Sequence, residues 1–84
     1  MTNDQQNQIL DQVGQIISDL FGVEPKDISL ETPREEVPGW DSLQHVNLIL
    51  DVEQQFSIHF DETQVASIRT VGDLVRAIES MGSN

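Results

Sequence analysis

Gly39-Trp40-Asp41-Ser42-Leu43-Gln44-His45-Val46-Asn47-Leu48-Ile49-Leu50-Asp51-Val52-Glu53-Gln54-Gln55-Phe56 joins the end of a Pro/Gly-rich loop to an amphipathic helix. Asp41 is a good N-cap, and Gln44 stands three residues on, as a capping box requires. The spacing predicts a helix from about Ser42 to Phe56. Ser42 then sits at a loop–helix corner, where an enzyme can reach its hydroxyl and unpaired backbone N–H groups favour an anionic substituent such as a phosphodiester. At 100° per residue, Asn47, Gln54, Asp51, Gln44 and Gln55 share a polar sector of roughly 100°. The apolar residues span roughly 220°, more than the ~100° stripe by which a surface helix usually meets its core. Leu48, Ile49, Val52 and Phe56 are expected to face the core. Leu43, Val46 and Leu50 are left as a partly exposed patch of the kind that receives a partner or rims a ligand groove.

Outward from this helix, Ile9, Leu10, Val13, Ile16, Ile17, Leu20 and Phe21 recur at three- and four-residue spacing. They predict a first helix that starts near Thr2–Gln5, is capped by Thr2 or Asn3, and stops before Gly22. Gly14 is a mild weakness within it. The connection 22–40 contains Pro25, Pro33, Pro38 and Gly39. Ile28 and Leu30 are expected to dip into the core, with a turn of helix after Pro25. So long a loop inside a compact domain is often functional. A short third helix is predicted near Asp61–Ser67. A fourth is capped by Thr70, carries Asp73 in its first turn, and buries Val71, Leu74, Val75 and Ile78. Ser57-Ile58-His59-Phe60 alternates but is too short to stand as a strand. The expected fold is all-α: one domain over 1–84, a small four-helix bundle of three longer helices and one short, with a long loop between the first and second.

Composition narrows the function. Fifteen acidic residues against four basic ones give a net charge of −11. That excludes nucleic acid as a partner, because phosphate neutralisation needs Lys and Arg. The charge keeps a small protein soluble and monomeric, and it also steers encounter with basic patches. There is no cysteine, hence no disulfide and no thiolate metal site. His45 and His59 lack a metal-binding spacing with carboxylates, and no calcium-loop motif occurs. No apolar run resembles a signal segment or a bilayer span. The expectation is a cytoplasmic monomer without membrane insertion.

Gly39-Trp40-Asp41-Ser42-Leu43 lies mid-chain, after a long loop and before a helix ending in Glu53-Gln54-Gln55-Phe56, with Thr70-Val71-Gly72-Asp73-Leu74 opening the last helix. In this order the features resemble the acyl carrier protein family over about Ile9 to Ile78. The resemblance implies that Ser42 carries 4′-phosphopantetheine, donated by coenzyme A through a phosphopantetheinyl transferase. The arm's thiol holds acyl groups as thioesters, so a chain without cysteine can serve thiol chemistry. It further implies that Asp41 caps the helix and aids transferase docking, and that Asp41 and Leu43 flank the attachment point. Leu43, Gln44, Val46, Asn47, Leu50 and Glu53 would face partners: an acyl-loading enzyme or ligase, and a ketosynthase or acyltransferase. The protein is then a carrier and not an enzyme.

This chain departs from the family's fatty-acid-synthase members, which are usually acidic where it has Gln44, Asn47, Gln54 and Gln55. Asp51 occupies a position that is commonly small and apolar, and Trp40 replaces a residue that is often small. These differences point to a specialised pathway (polyketide, lipid or polysaccharide-modifying) rather than general fatty acid biosynthesis. A peptidyl or aminoacyl carrier fits Gly39-Trp40-Asp41 less well, and an unmodified helical docking module is the other alternative. A nucleophilic Ser42–His45 pair at i, i+3 is set aside, because no oxyanion glycine cluster or orienting third group accompanies it. His45 also falls in the apolar arc beside Val52 and Phe56, as a packed or rim histidine would.

Overall fold

The computed structural model describes residues 2–82: α1 (Thr2–Phe21), α2 (Ser42–Phe56), α3 (Glu62–Ser67) and α4 (Val71–Gly82). Two 3-10 turns, Pro25–Asp27 and Arg34–Glu36, interrupt the long connection. The capping expected of Thr2 or Asn3 lies outside the described side chains. Among the described residues there is no strand, only one isolated antiparallel bridge between Pro33 and Thr70. The all-α, four-helix expectation is met.

The helices share one core. Val13 and Ile17 of α1, Leu48 and Val52 of α2, and Val71, Leu74, Val75 and Ile78 of α4 are fully or almost fully buried. Val37, Phe60 and Ile68 fill its margins from the connecting segments. Phe56 is only half-buried, packed against the core rather than within it. α1 packs against both α4 and α2. Its end is set by Gly22, whose φ of 74° lets its N–H reach the Ser18 carbonyl at 2.8 Å.

The connection between α1 and α2 is tied down along its middle. Ile28 is buried directly after the first 3-10 turn, as expected. The first N–H groups of a helix have no partner inside it, and α4 offers them to this connection. Val71 donates to the Thr32 carbonyl at 2.9 Å and Gly72 to the Leu30 carbonyl at 2.8 Å. Arg34 N–H returns a bond to the Arg69 carbonyl at 2.9 Å. The approach is so close that a Cβ at position 72 would stand 2.5 Å from the Leu30 oxygen, which is why glycine is needed there. Thr70 caps α4 as expected: its hydroxyl accepts from Asp73 N–H at 3.0 Å. Asp73 in turn accepts from the N–H groups of Arg69 (3.1 Å) and Thr70 (3.3 Å) and pairs with Arg76 at 2.9 Å.

One local expectation fails. Asp41 does cap α2, accepting from Gln44 N–H at 2.9 Å, but the reciprocal half of a capping box is missing. Asp41 N–H donates to the Gly39 carbonyl at 3.0 Å, and Gln44 Oε1 accepts from Asn47 at 2.7 Å. Reciprocal pairs form instead at α3, between Asp61 and Gln64, and at α4, between Thr70 and Asp73. The Gly39 carbonyl and the Asp41 N–H close a three-residue turn about Trp40, so the donor that Gln44 would need is already taken.

Candidate functional site

The corner that presents Ser42 is built from three side chains that meet below it. Trp40 is buried and stacks on Phe21 at the end of α1, ring centroids 5.6 Å apart and planes 12° from parallel. Its Nε1–H donates to His45 Nδ1 at 3.0 Å. An indole nitrogen can only donate, so Nδ1 is the bare nitrogen of His45 and Nε2 carries the proton. That Nε2–H donates to the Val65 carbonyl of α3 at 3.0 Å. The loop, the first turn of α2 and α3 are thereby linked through one buried imidazole. Both ring nitrogens are in use, so His45 has none left to serve Ser42 as a base.

Above this link, Ser42 occupies the first position of α2 and is exposed. The N–H groups of Ser42 and Leu43 have no acceptor among the described residues, since Asp41 satisfies those of Gln44 and His45. Arg34, Trp40, Asp41, Ser42 and His45 line a recess of about 240 Å³ beside the hydroxyl. Backbone N–H donors and a guanidinium around a free hydroxyl form a donor set suited to a phosphodiester.

The residues expected to face partners divide into two groups. Leu43, Val46 and Leu50 are 72%, 49% and 52% exposed, large apolar side chains left in water along one side of α2. Gln44 and Asn47 lie on the same helix, bonded to each other. Glu53 is turned inward: its side chain is only 15% exposed, and its carboxylate accepts from Phe60 N–H at 2.8 Å, with His59 Nδ1 3.5 Å away. This bond holds the turn after α2, where Ser57 adopts a left-handed conformation with φ 57°. Between α2 and α3, Val46, Ile49, Leu50, Phe60, Val65 and Ala66 line an apolar groove of about 340 Å³.

The Trp40–His45–Val65 link was not foreseen from sequence. Its signal was a tryptophan, whose N–H needs a partner when buried, followed by a histidine on the apolar arc of the next helix. Among the described residues no helix is long and apolar enough to cross a membrane. None of their His, Asp and Glu side chains gather into a group able to hold a metal ion.

The chain is similar to known proteins over most of its length. Residues 11–78 match the model of the phosphopantetheine attachment site. Over 73 residues the chain is 36% identical to an acyl carrier protein of Exiguobacterium sibiricum, a match covering 87% of this chain and 92% of that relative. It is 33% identical over 72 residues to an acyl carrier protein of Wolinella succinogenes, covering 86% and 95%. Its fold is similar to a solved structure of the acyl carrier protein from Enterococcus faecalis, described for its high thermal stability. The TM-score is 0.75 at 25% identity, over 89% of this chain and 95% of that one.

Proposed function

The chain belongs to the acyl carrier protein family, whose members are carriers of 4′-phosphopantetheine rather than catalysts, and on that premise we propose that Ser42 is the residue that bears the arm. The observation that carries this reading is an exposed serine hydroxyl at the first position of α2, beside the open N–H groups of Ser42 and Leu43. Ser42 Oγ attacks the β-phosphorus of coenzyme A under a phosphopantetheinyl transferase. The new O–P bond replaces the diphosphate linkage, the nucleotide phosphate departs with its electron pair, and the serine proton passes to the transferase. Once attached, the arm supplies a thiol that holds acyl groups as thioesters. Asp41 keeps the first turn of α2 closed while the hydroxyl reacts, because its carboxylate occupies the Gln44 N–H.

Partner enzymes of such a carrier include the transferase and acyl-handling enzymes. We assign their recognition to Leu43, Val46 and Leu50, with Gln44 and Asn47 beside them. Asp41 serves transferase docking from the helix cap, and Glu53 acts by shaping the turn after α2. The α2–α3 groove offers an acyl chain an apolar lining next to this surface. Residues 1–84 act as one carrier domain, monomeric and cytoplasmic. The neutral set Gln44, Asn47, Gln54 and Gln55 supports service in a specialised polyketide, lipid or polysaccharide-modifying pathway. Asn47 donates to Gln44, and neither amide offers a charge to a partner that reads acids on this helix.

The experiment is incubation of apo protein with coenzyme A and a broad-specificity transferase, followed by intact mass. One arm is expected on the wild type and none on Ser42→Ala; an unchanged wild-type mass with several transferases would refute the proposal. Holo protein should also turn over slowly with malonyl-loading and condensing enzymes of general fatty acid synthesis. Rates equal to a housekeeping carrier's would refute the pathway assignment alone.

A further inference from the structure

Arg34 is an uncommitted cation on a strongly acidic protein. The chain has four Lys and Arg residues against fifteen Asp and Glu, and Arg76 is paired with Asp73. Among the described residues no carboxylate lies within ion-pair distance of Arg34. The side chain is nonetheless held in place. Nη1 donates to the Ile68 carbonyl at 3.2 Å, the backbone N–H is bound to the Arg69 carbonyl, and the residue is half-buried. Ordering a long arginine costs side-chain entropy, and here no ion pair offsets that cost. Arg34 shares its recess with Ser42, Trp40, His45 and Asp41. Asp41 is the acid that could have neutralised it, but Asp41 turns its Oδ1 to the Gln44 N–H.

We propose that Arg34 is a positioning residue for the phosphodiester borne on Ser42, receiving its anionic oxygens in this recess through charge-assisted hydrogen bonds. The inference rests on Ser42 being the attachment residue. A guanidinium suits the task because its planar fork presents parallel N–H donors to phosphate oxygens. It also offsets the repulsion that the Asp41 carboxylate exerts on an anion at the same corner. Arg34 is tied through Ile68 and Arg69 to the entry of α4, so it refers the root of the arm to the bundle and not to a free loop. The arm then starts from a restricted direction, and partner enzymes meet fewer of its conformations.

The test uses apo and holo forms of the wild type, Arg34→Gln and Arg34→Lys, with intact mass establishing that the arm is present. In the wild type, the Arg34 Nε–H resonance and that of the chain's one indole, Trp40, are expected to move between apo and holo forms. The ³¹P resonance of the arm should shift in Arg34→Gln, fall in between for Arg34→Lys, and lose the wild-type difference in about 0.5 M salt. Arg34 and Trp40 resonances that stay put in holo wild type would overturn the proposal, as would an identical ³¹P shift in wild type and Arg34→Gln. The same movements produced by inorganic phosphate on apo protein would overturn the assignment to the arm in favour of a general anion recess. An unchanged mass would instead remove the attachment reading itself, and this inference with it.

Discussion

Replacing His45 by alanine tests whether the corner beneath Ser42 is held by the buried imidazole. The substitution strands the Trp40 Nε1–H, bonded at 3.0 Å in a buried setting, and takes one of two donors from the half-buried Val65 carbonyl, which keeps the Ile68 N–H at 3.4 Å. A buried polar group left unsatisfied costs about 1–3 kcal/mol. The Trp40 N–H belongs in the middle of that range. The Val65 carbonyl adds little, because it keeps the Ile68 N–H and water can approach it. With the void left by the ring, the expected loss is about 2–4 kcal/mol. At roughly 4–8 °C per kcal/mol for a chain of this size, the melting temperature should fall by at least about 8 °C in a calorimetric or circular-dichroism melt. His45→Asn returns an acceptor near Nδ1 and His45→Gln returns a donor near Nε2, so each should recover part of the loss. A His45→Ala melt indistinguishable from that of an exposed control such as Gln54→Ala would refute the reasoning.

The glycines inside α1 and α4 should respond to alanine in opposite directions. Gly14→Ala meets open space and should stabilise by about 0.5–1 kcal/mol through helix propensity, whereas Gly72→Ala drives a Cβ to 2.5 Å from the Leu30 oxygen and should destabilise by ~2 kcal/mol or more, both read from denaturant unfolding. Leu43→Ala, Val46→Ala and Leu50→Ala should each cost under about 1 kcal/mol while slowing partner turnover, against ~2–5 kcal/mol for Leu48→Ala in the core; equal losses of stability would remove the exposed-patch argument. Asp73 is held below its usual carboxylate range chiefly by the Arg69 N–H, aided by Arg76 and the Thr70 N–H against the opposing effect of burial. A depressed folded value means its contribution is present above the unfolded value and is lost as pH falls through the folded one. Asp73→Asn should therefore flatten the acid limb of a stability–pH profile.

The fold was legible because its signals are local. Three- and four-residue apolar spacing fixes α1 and α4, and Asp41 and Thr70 mark helix starts by the chemistry of capping. The exposed patch followed from α2 carrying more apolar arc than one core face can cover. What escaped depends on groups brought together by the fold. No periodicity says that the Glu53 carboxylate turns to Phe60 N–H, seven residues on. None says that Gln44 finds Asn47 and leaves the capping box incomplete. Trp40 stood out only as an unusually large residue before the serine; its stack on Phe21 and its bond to His45 need α1 and α2 already placed. Arg34 was unremarked for the same reason: its recess exists only once the connection is pinned to α4.

The most direct measurement locates the arm. Holo protein should be digested with trypsin, which releases the 35–69 segment between Arg34 and Arg69, and that peptide should be sequenced by tandem mass spectrometry. It contains Ser42, Ser57 and Ser67, so the fragment ions choose among them. The account predicts phosphopantetheine on Ser42 alone, with Ser42→Ala unmodified and its melt close to the wild type's. An arm on any other residue, or a Ser42→Ala protein that still gains one, would contradict it.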